Sequence, residues 1–111
     1  MGIFENVRKR VDDFKKLCLD HNVKDLYVFG SSITSDFNPK TSDIDLVVEI
    51  DVIDPLARGE HLLDLWDKLE DFFQRRVDLL TESSIKNPVL RKNIEKSKVL
   101  IYDGTRGKVL V

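Results

Sequence analysis

Residues Val28 to Ile50 read VFGSSITSDFNPKTSDIDLVVEI, and the order of parts in this stretch decides the fold. An apolar segment runs into Gly30-Ser31, a polar loop follows, and the chain re-emerges through Asp43-Ile44-Asp45 into a second apolar run, Leu46 to Ile50. Strand alternation puts Asp43 and Asp45 on one face, about 7 Å apart at the backbone. Carboxylates so placed suit divalent cations, and a Gly-Ser turn opening a short helix offers backbone N–H groups to a phosphate. Metal and phosphate held together point to nucleotide chemistry. The LVVEI run predicts a strand covered on both faces beyond the Asp pair.

Upstream, residues 3–20 carry Ile3, Phe4, Val7, Val11, Phe14, Leu17 and Cys18 at helical spacing, which predicts one amphipathic helix ending near Asn22. Asp25 to Phe29 reads as the first strand, stopping at Gly30, with Ser31 as the cap of a short helix. Residues 36–42, DFNPKTS, are turn formers and read as a loop. Downstream, Asp54-Pro55 and Asn87-Pro88 are helix starts, each a capping side chain followed by proline at the first position. The helices they open run to about Gln74 and Ser97. Between them Arg75 to Leu80 reads as a third strand; Val99 to Tyr102 follows as a fourth, and the tail KVLV as a minor strand or a loose end. The order α-β-(α)-β-α-β-α-β predicts an α/β (α+β) fold, a small mixed sheet with helices packed on it.

The chain has 111 residues, enough for one core, so 1–111 is expected to form a single domain. A 41% hydrophobic and 34% charged composition suits a globular protein with a solvated surface. Net charge is −2, which argues against general nucleic-acid binding. Cys18 is the one cysteine, so no internal disulfide forms, and a cytoplasmic setting is the simplest expectation. No signal-peptide core and no run approaching about 18 apolar residues is present, so no membrane association is expected.

A third acid, Asp78, stands between Val77 and Leu79. A carboxylate in an apolar strand is costly to bury unless it is paired or binds a cation. If its strand lies beside the second, Asp43, Asp45 and Asp78 share one rim. Such a set suits Mg²⁺ or Mn²⁺, which keep waters and take substrate phosphates as further ligands. Two such ions could clamp both oxygens of an in-line phosphoryl displacement.

With these residues in view, FGSSITSDFNPKTSDIDLVVE followed by VDLL resembles the minimal nucleotidyltransferase (MNT, MntA-like antitoxin) domains of the DNA polymerase β-like nucleotidyltransferase superfamily. The resemblance extends from the first strand to VLIY near the end. It implies that Gly30 and Ser31 form the phosphate-holding turn, with Ser32 beside them. It further implies that Asp43 and Asp45 are paired metal ligands and that Asp78 binds the catalytic metal and helps activate the attacking hydroxyl. The implied reaction moves a nucleoside monophosphate, AMP from ATP being the expected case, onto a hydroxyl with release of pyrophosphate. The implied partner is a small helical HEPN-domain toxin, with a homodimer as the other way to complete the cleft. Many such domains carry Gly-Ser-x-x-Arg-Gly; here Ile33-Thr34-Ser35 leaves out the arginine and second glycine, and the loop at Lys40-Thr41 is one residue longer. That departure motivates the alternative of a catalytically weak or inactive antitoxin that works by binding.

Haloacid-dehalogenase-like phosphatases and many glycosyltransferases place Asp-x-Asp after an apolar strand, whereas here the pair precedes it. No Gly-Lys-Ser/Thr follows a glycine-rich turn, which excludes a Walker-type loop. His21 and His61 read as surface or helix-end residues, and Trp66, Phe72 and Phe73 as core. Cys18 reads as packing, and Arg75-Arg76 as solvated or in contact with triphosphate or partner. Glu49 shares the face of the Asp pair deeper along the strand, as a hydrogen-bonding partner or the lining of a cleft.

Overall fold

A computed structural model describes residues 3–30 and 43–111. Among them the elements are α1 (Ile3–Lys9), α2 (Val11–Asp20), β1 (Val23–Phe29), β2 (Ile44–Ile50), α3 (Pro55–Phe73), β3 (Val77–Thr81), α4 (Pro88–Ser97), β4 (Val99–Asp103) and β5 (Lys108–Val109). A short 3₁₀ turn, Glu82–Ser84, precedes α4. The strands form one mixed sheet in the order β3-β2-β1-β4-β5. β1 runs antiparallel to β2 and β4, β2 runs parallel to β3, and β5 closes a hairpin on β4. The α/β (α+β) architecture expected from the sequence is the one found, and KVLV supplies its fifth strand.

β2 sits inside the sheet because its side chains are apolar on both faces. Ile44, Leu46 and Val48 are fully buried against the layer made by α1, α2 and α3. Val47 points the other way and is equally buried, under Ile85 and Ile94, the latter carried by α4. Each such side chain stabilises the fold by about 1.5–3 kcal/mol.

The two proline-led helices begin as the sequence predicts. The Asp54 carboxylate accepts from the Ala57 N–H at 3.2 Å, and the Asn87 side chain accepts from the Val89 and Leu90 N–H groups. α3 ends at Gln74 in the left-handed conformation, φ 54°, and Asn22 turns the chain between α2 and β1 with the same φ.

The N-terminal helix is a correction. Residues 3–20 form two helices, broken at Arg10, whose φ of −131° is not helical. An unbroken helix would bury Val11; instead Val11 is 41% exposed. The break lets Phe14 pack against Phe72 and Phe73, with ring centroids at 5.3 and 6.2 Å. The Arg10 guanidinium lies 4.6 Å above the Phe72 ring and donates to the Phe72 carbonyl, so a contact far along the chain holds the bend.

Candidate functional site

Register builds the site. On the inner side β1 and β2 pair Phe29 with Asp45, and on the outer side β2 and β3 pair Asp45 with Asp78. Phe29, Asp45 and Asp78 therefore stand on one rung across three strands. Adjacent strands are about 4.8 Å apart, so the two carboxylates are immediate neighbours. Asp43 sits one alternation outward on the same face as Asp45 and is exposed. Further along this face Val47 is buried under the α4 layer, so the carboxylates occupy the end of the face that α4 leaves uncovered.

The electrostatics agree with the register. The Asp45 carboxyl is pushed up to about 6, first by burial and then by the charges of Asp78 and Asp43. Three carboxylates thus act on one another, as like charges at one site do. Asp78 itself is exposed, so the expectation that its burial would need a compensating ion is corrected. β3 is the sheet edge, and the outward face of Asp78 opens to solvent.

Gly30 has a specific place here. Its φ of +68° lies in the left-handed region, and a Cβ on it would stand 2.7 Å from the Asp45 Oδ2. Glycine is needed both for the turn and for the approach of the carboxylate. Ser31 and Ser32, and with them the short helix and the loop expected within residues 31–42, lie outside the described residues.

β3 is pinned by α3 in a way the sequence does not announce. As an edge strand it presents Val77 backbone groups with no strand to meet them. The Trp66 indole N–H donates to the Val77 carbonyl at 2.7 Å, and the Val77 N–H donates to the Glu70 Oε2 at 2.9 Å. Both α3 side chains close on the residue before Asp78 and fix its strand. Trp66 reads as core in the sequence, and it packs against the core, but its polar edge also does this positioning. The sequence signal was the spacing of Trp66 and Glu70, one helical turn apart on α3.

The remaining candidates fall elsewhere. Glu49 pairs across the strands with Asp25, and burial together with Glu49 and Glu82 raises the Asp25 carboxyl. His21 ends α2 as expected of a helix-end residue, but it is buried and neither it nor His61 is isolated. Its ring nitrogens face the Leu17 carbonyl at 2.7 Å and the Asp64 carboxylate at 2.5 Å, and His61 meets its ring edge-on. Cys18 is buried, which pushes its thiol up, away from nucleophilic use. Two cavities of about 270 and 300 Å³ lie at the other end of the sheet, around Asn22, Asp51 and Thr105 and under the first turns of α3. They contain none of the three carboxylates, and the chemistry decides against them.

Among the described residues no three carboxylate, imidazole or thiol groups stand ready around one point to hold a metal ion. The donor set nonetheless fits one: three oxygen-ligand side chains at one end of neighbouring strands, with the Asp45 carboxyl raised by burial and then by the charges of Asp78 and Asp43. A divalent cation among them would reverse that repulsion.

The comparisons with known proteins place the chain in a family. A family model described as "Nucleotidyltransferase domain" matches residues 6–101. A Methanocaldococcus jannaschii protein named "Putative protein adenylyltransferase MJ0126" is 34% identical over 89% of this chain and 94% of its own length. A solved structure described as a putative minimal nucleotidyltransferase superposes with a TM-score of 0.59 at 27% identity, over 89% of this chain and 95% of that one. A crystal structure of a toxin–antitoxin with AMP-PNP superposes with a TM-score of 0.57 at 28% identity, over 83% of this chain and 72% of that one. The chain, similar in fold to that minimal nucleotidyltransferase, belongs to the nucleotidyltransferase domain family.

Proposed function

We propose that this chain, acting as one domain over 1–111, transfers AMP from ATP to a hydroxyl on a partner protein, with pyrophosphate as the other product. The observation that carries the reading is the rung joining Asp45 to Asp78, with Asp43 beside it and Gly30 closing against Asp45. Asp43, Asp45 and Asp78 are the residues that would hold Mg²⁺ or Mn²⁺, two ions in the full site. Bound there, such ions would supply charge neutralisation to an in-line phosphoryl displacement. Asp78 takes the proton of the attacking hydroxyl on a carboxylate oxygen. Gly30, Ser31 and Ser32 hold the triphosphate through the turn after β1. ATP as donor is supported by the toxin–antitoxin neighbour with AMP-PNP.

The same neighbour supports an antitoxin-like role, and the sequence resemblance makes the partner a HEPN-domain toxin; a second copy of the chain is the other candidate to complete the cleft. The lone, buried Cys18 suits a cytoplasmic protein. Among the described residues no helix is long and apolar enough to cross a membrane.

Incubating the chain with its co-encoded helical partner, ATP and Mg²⁺, and weighing the intact partner, tests the reading. One or more added AMP groups, lost with Asp43→Ala, supports it. A second reading is favoured by the loop at Ile33-Thr34-Ser35, which has no arginine: a weak or inactive member that neutralises its partner by binding. Neutralisation that survives Asp43→Ala, with no mass added to the partner, would establish that reading in place of the first.

A further inference from the structure

We propose that Arg76 selects the acceptor: its guanidinium binds a carboxylate side chain that flanks the acceptor hydroxyl on the partner protein. The proposal rests on the transferase reading above.

The ladder places Arg76. The Ile44 N–H donates to the Arg76 carbonyl at 3.0 Å, and Ile44 pairs with Val77, so the next rung outward sets Arg76 beside Asp43. Alternation along β3 buries Val77 and Leu79, and continued one residue back along the ladder it turns Arg76 to the same face as Asp78. Two adjacent rungs then read Asp45 with Asp78, and Asp43 with Arg76. Arg76 is exposed, and among the described residues its side chain makes no hydrogen bond or ion pair. Its backbone is nonetheless fixed, by Ile44 on one side and by the Trp66 and Glu70 contacts to Val77 on the other. A rigidly placed, unengaged arginine beside the carboxylates is suited to bidentate recognition of an incoming anion.

Position across the sheet says which anion. In an in-line displacement the nucleophile and the leaving group lie on opposite sides of the phosphorus. The Gly30 turn follows β1, on the inner flank of β2, and that is the triphosphate's flank. Asp78 stands on β3 and Arg76 directly precedes that strand, on the outer flank, about 10 Å across two strand spacings from the turn. The group reaching Arg76 therefore arrives with the nucleophile. Trp66 and Glu70 take the Val77 backbone groups at this edge, while the Arg76 and Asp78 side chains on either side of it are exposed, so a side chain of a protein segment can reach both. An acidic side chain next to the acceptor hydroxyl meets the guanidinium as the hydroxyl reaches Asp78.

Steady-state AMP transfer to the co-encoded partner, with ATP and partner varied separately, tests this for wild type, Arg76→Ala and Arg76→Lys. For Arg76→Ala the expected result is a KM for the partner raised about tenfold or more, the size of one lost ion pair. The KM for ATP stays within about twofold. Arg76→Lys recovers part of the loss. Neutralising the acidic residue beside the modified hydroxyl reproduces the defect and is not additive with Arg76→Ala. A rise in the KM for ATP instead would assign Arg76 to the triphosphate and overturn the proposal, as would an unchanged KM for both. Failure of wild type itself to transfer AMP would count against the transferase reading rather than against Arg76 alone.

Discussion

Replacing Asp45 with asparagine should stabilise the metal-free protein while removing its response to metal. The Asp45 carboxyl is pushed from an ordinary 3.8 to about 6. That rise corresponds to about 3 kcal/mol against the charged form. The side chain is only partly buried, so solvent screening reduces this to about 1–2 kcal/mol. The sign follows from linkage. A carboxyl raised on folding binds its proton more tightly in the native state, so the contribution of Asp45 to stability is greatest below about pH 4 and declines as pH rises through 6. At pH 7.5, Asp45→Asn removes a charge that its neighbours oppose. Urea unfolding in EDTA should then show the variant more stable by about 1–2 kcal/mol, or roughly 5–10 °C in Tm. The pH-dependent decline of wild type between 4 and 6 should flatten. With Mn²⁺ at about a hundred times its Kd, wild type should gain about 2.7 kcal/mol and the variant much less. An Asp45→Asn protein less stable than wild type in EDTA, or one stabilised equally by Mn²⁺, would refute the claim that these carboxylates strain one another for the sake of a cation.

Further outcomes follow from the same geometry. Gly30→Ala places a methyl 2.7 Å from the Asp45 Oδ2 at a left-handed φ, so it should cost about 1–2 kcal/mol in urea unfolding and weaken Mn²⁺ binding in calorimetry. Trp66→Phe keeps the ring but loses the donor to Val77, leaving a carbonyl unmet at the sheet edge; stability should fall by about 1–2 kcal/mol, and amide exchange should quicken along Val77 to Leu80. The His21 hydrogen bond holds the Asp64 carboxyl below the usual range, so its stabilisation is present at neutral pH and is lost as pH falls through the acid range. Asp64→Asn should therefore flatten the acid limb of the Tm-versus-pH curve.

The fold was readable where local chemistry and burial pattern agree. Asp54-Pro55 and Asn87-Pro88 cap and start their helices whatever else the chain does. Asn22 accepts the left-handed turn, and Ile44, Leu46, Val47 and Val48 declare a strand buried on both faces. What could not be read depends on distant partners. The bend at Arg10 is set by Phe72, and the exposure of Asp78 follows from β3 being the sheet edge, which no property of VDLL reveals. The clamp on Val77 needs the register of α3 on β3, and the link from His21 to Asp64 needs the packing of α2 on α3. The carboxylates lay between these cases. Their types and order were legible, whereas their meeting depended on the parallel pairing of Asp45 with Asp78.

Pyrophosphate release, followed continuously with the co-encoded partner, ATP and Mg²⁺, tests the central claim most directly when run on wild type and on alanine variants of Asp43, Asp45 and Asp78. The account predicts one pyrophosphate for each AMP placed on the partner, and a loss of about a hundredfold or more in each variant, since each removes a charge aimed at the transition state. Turnover that persists in all three variants would contradict it.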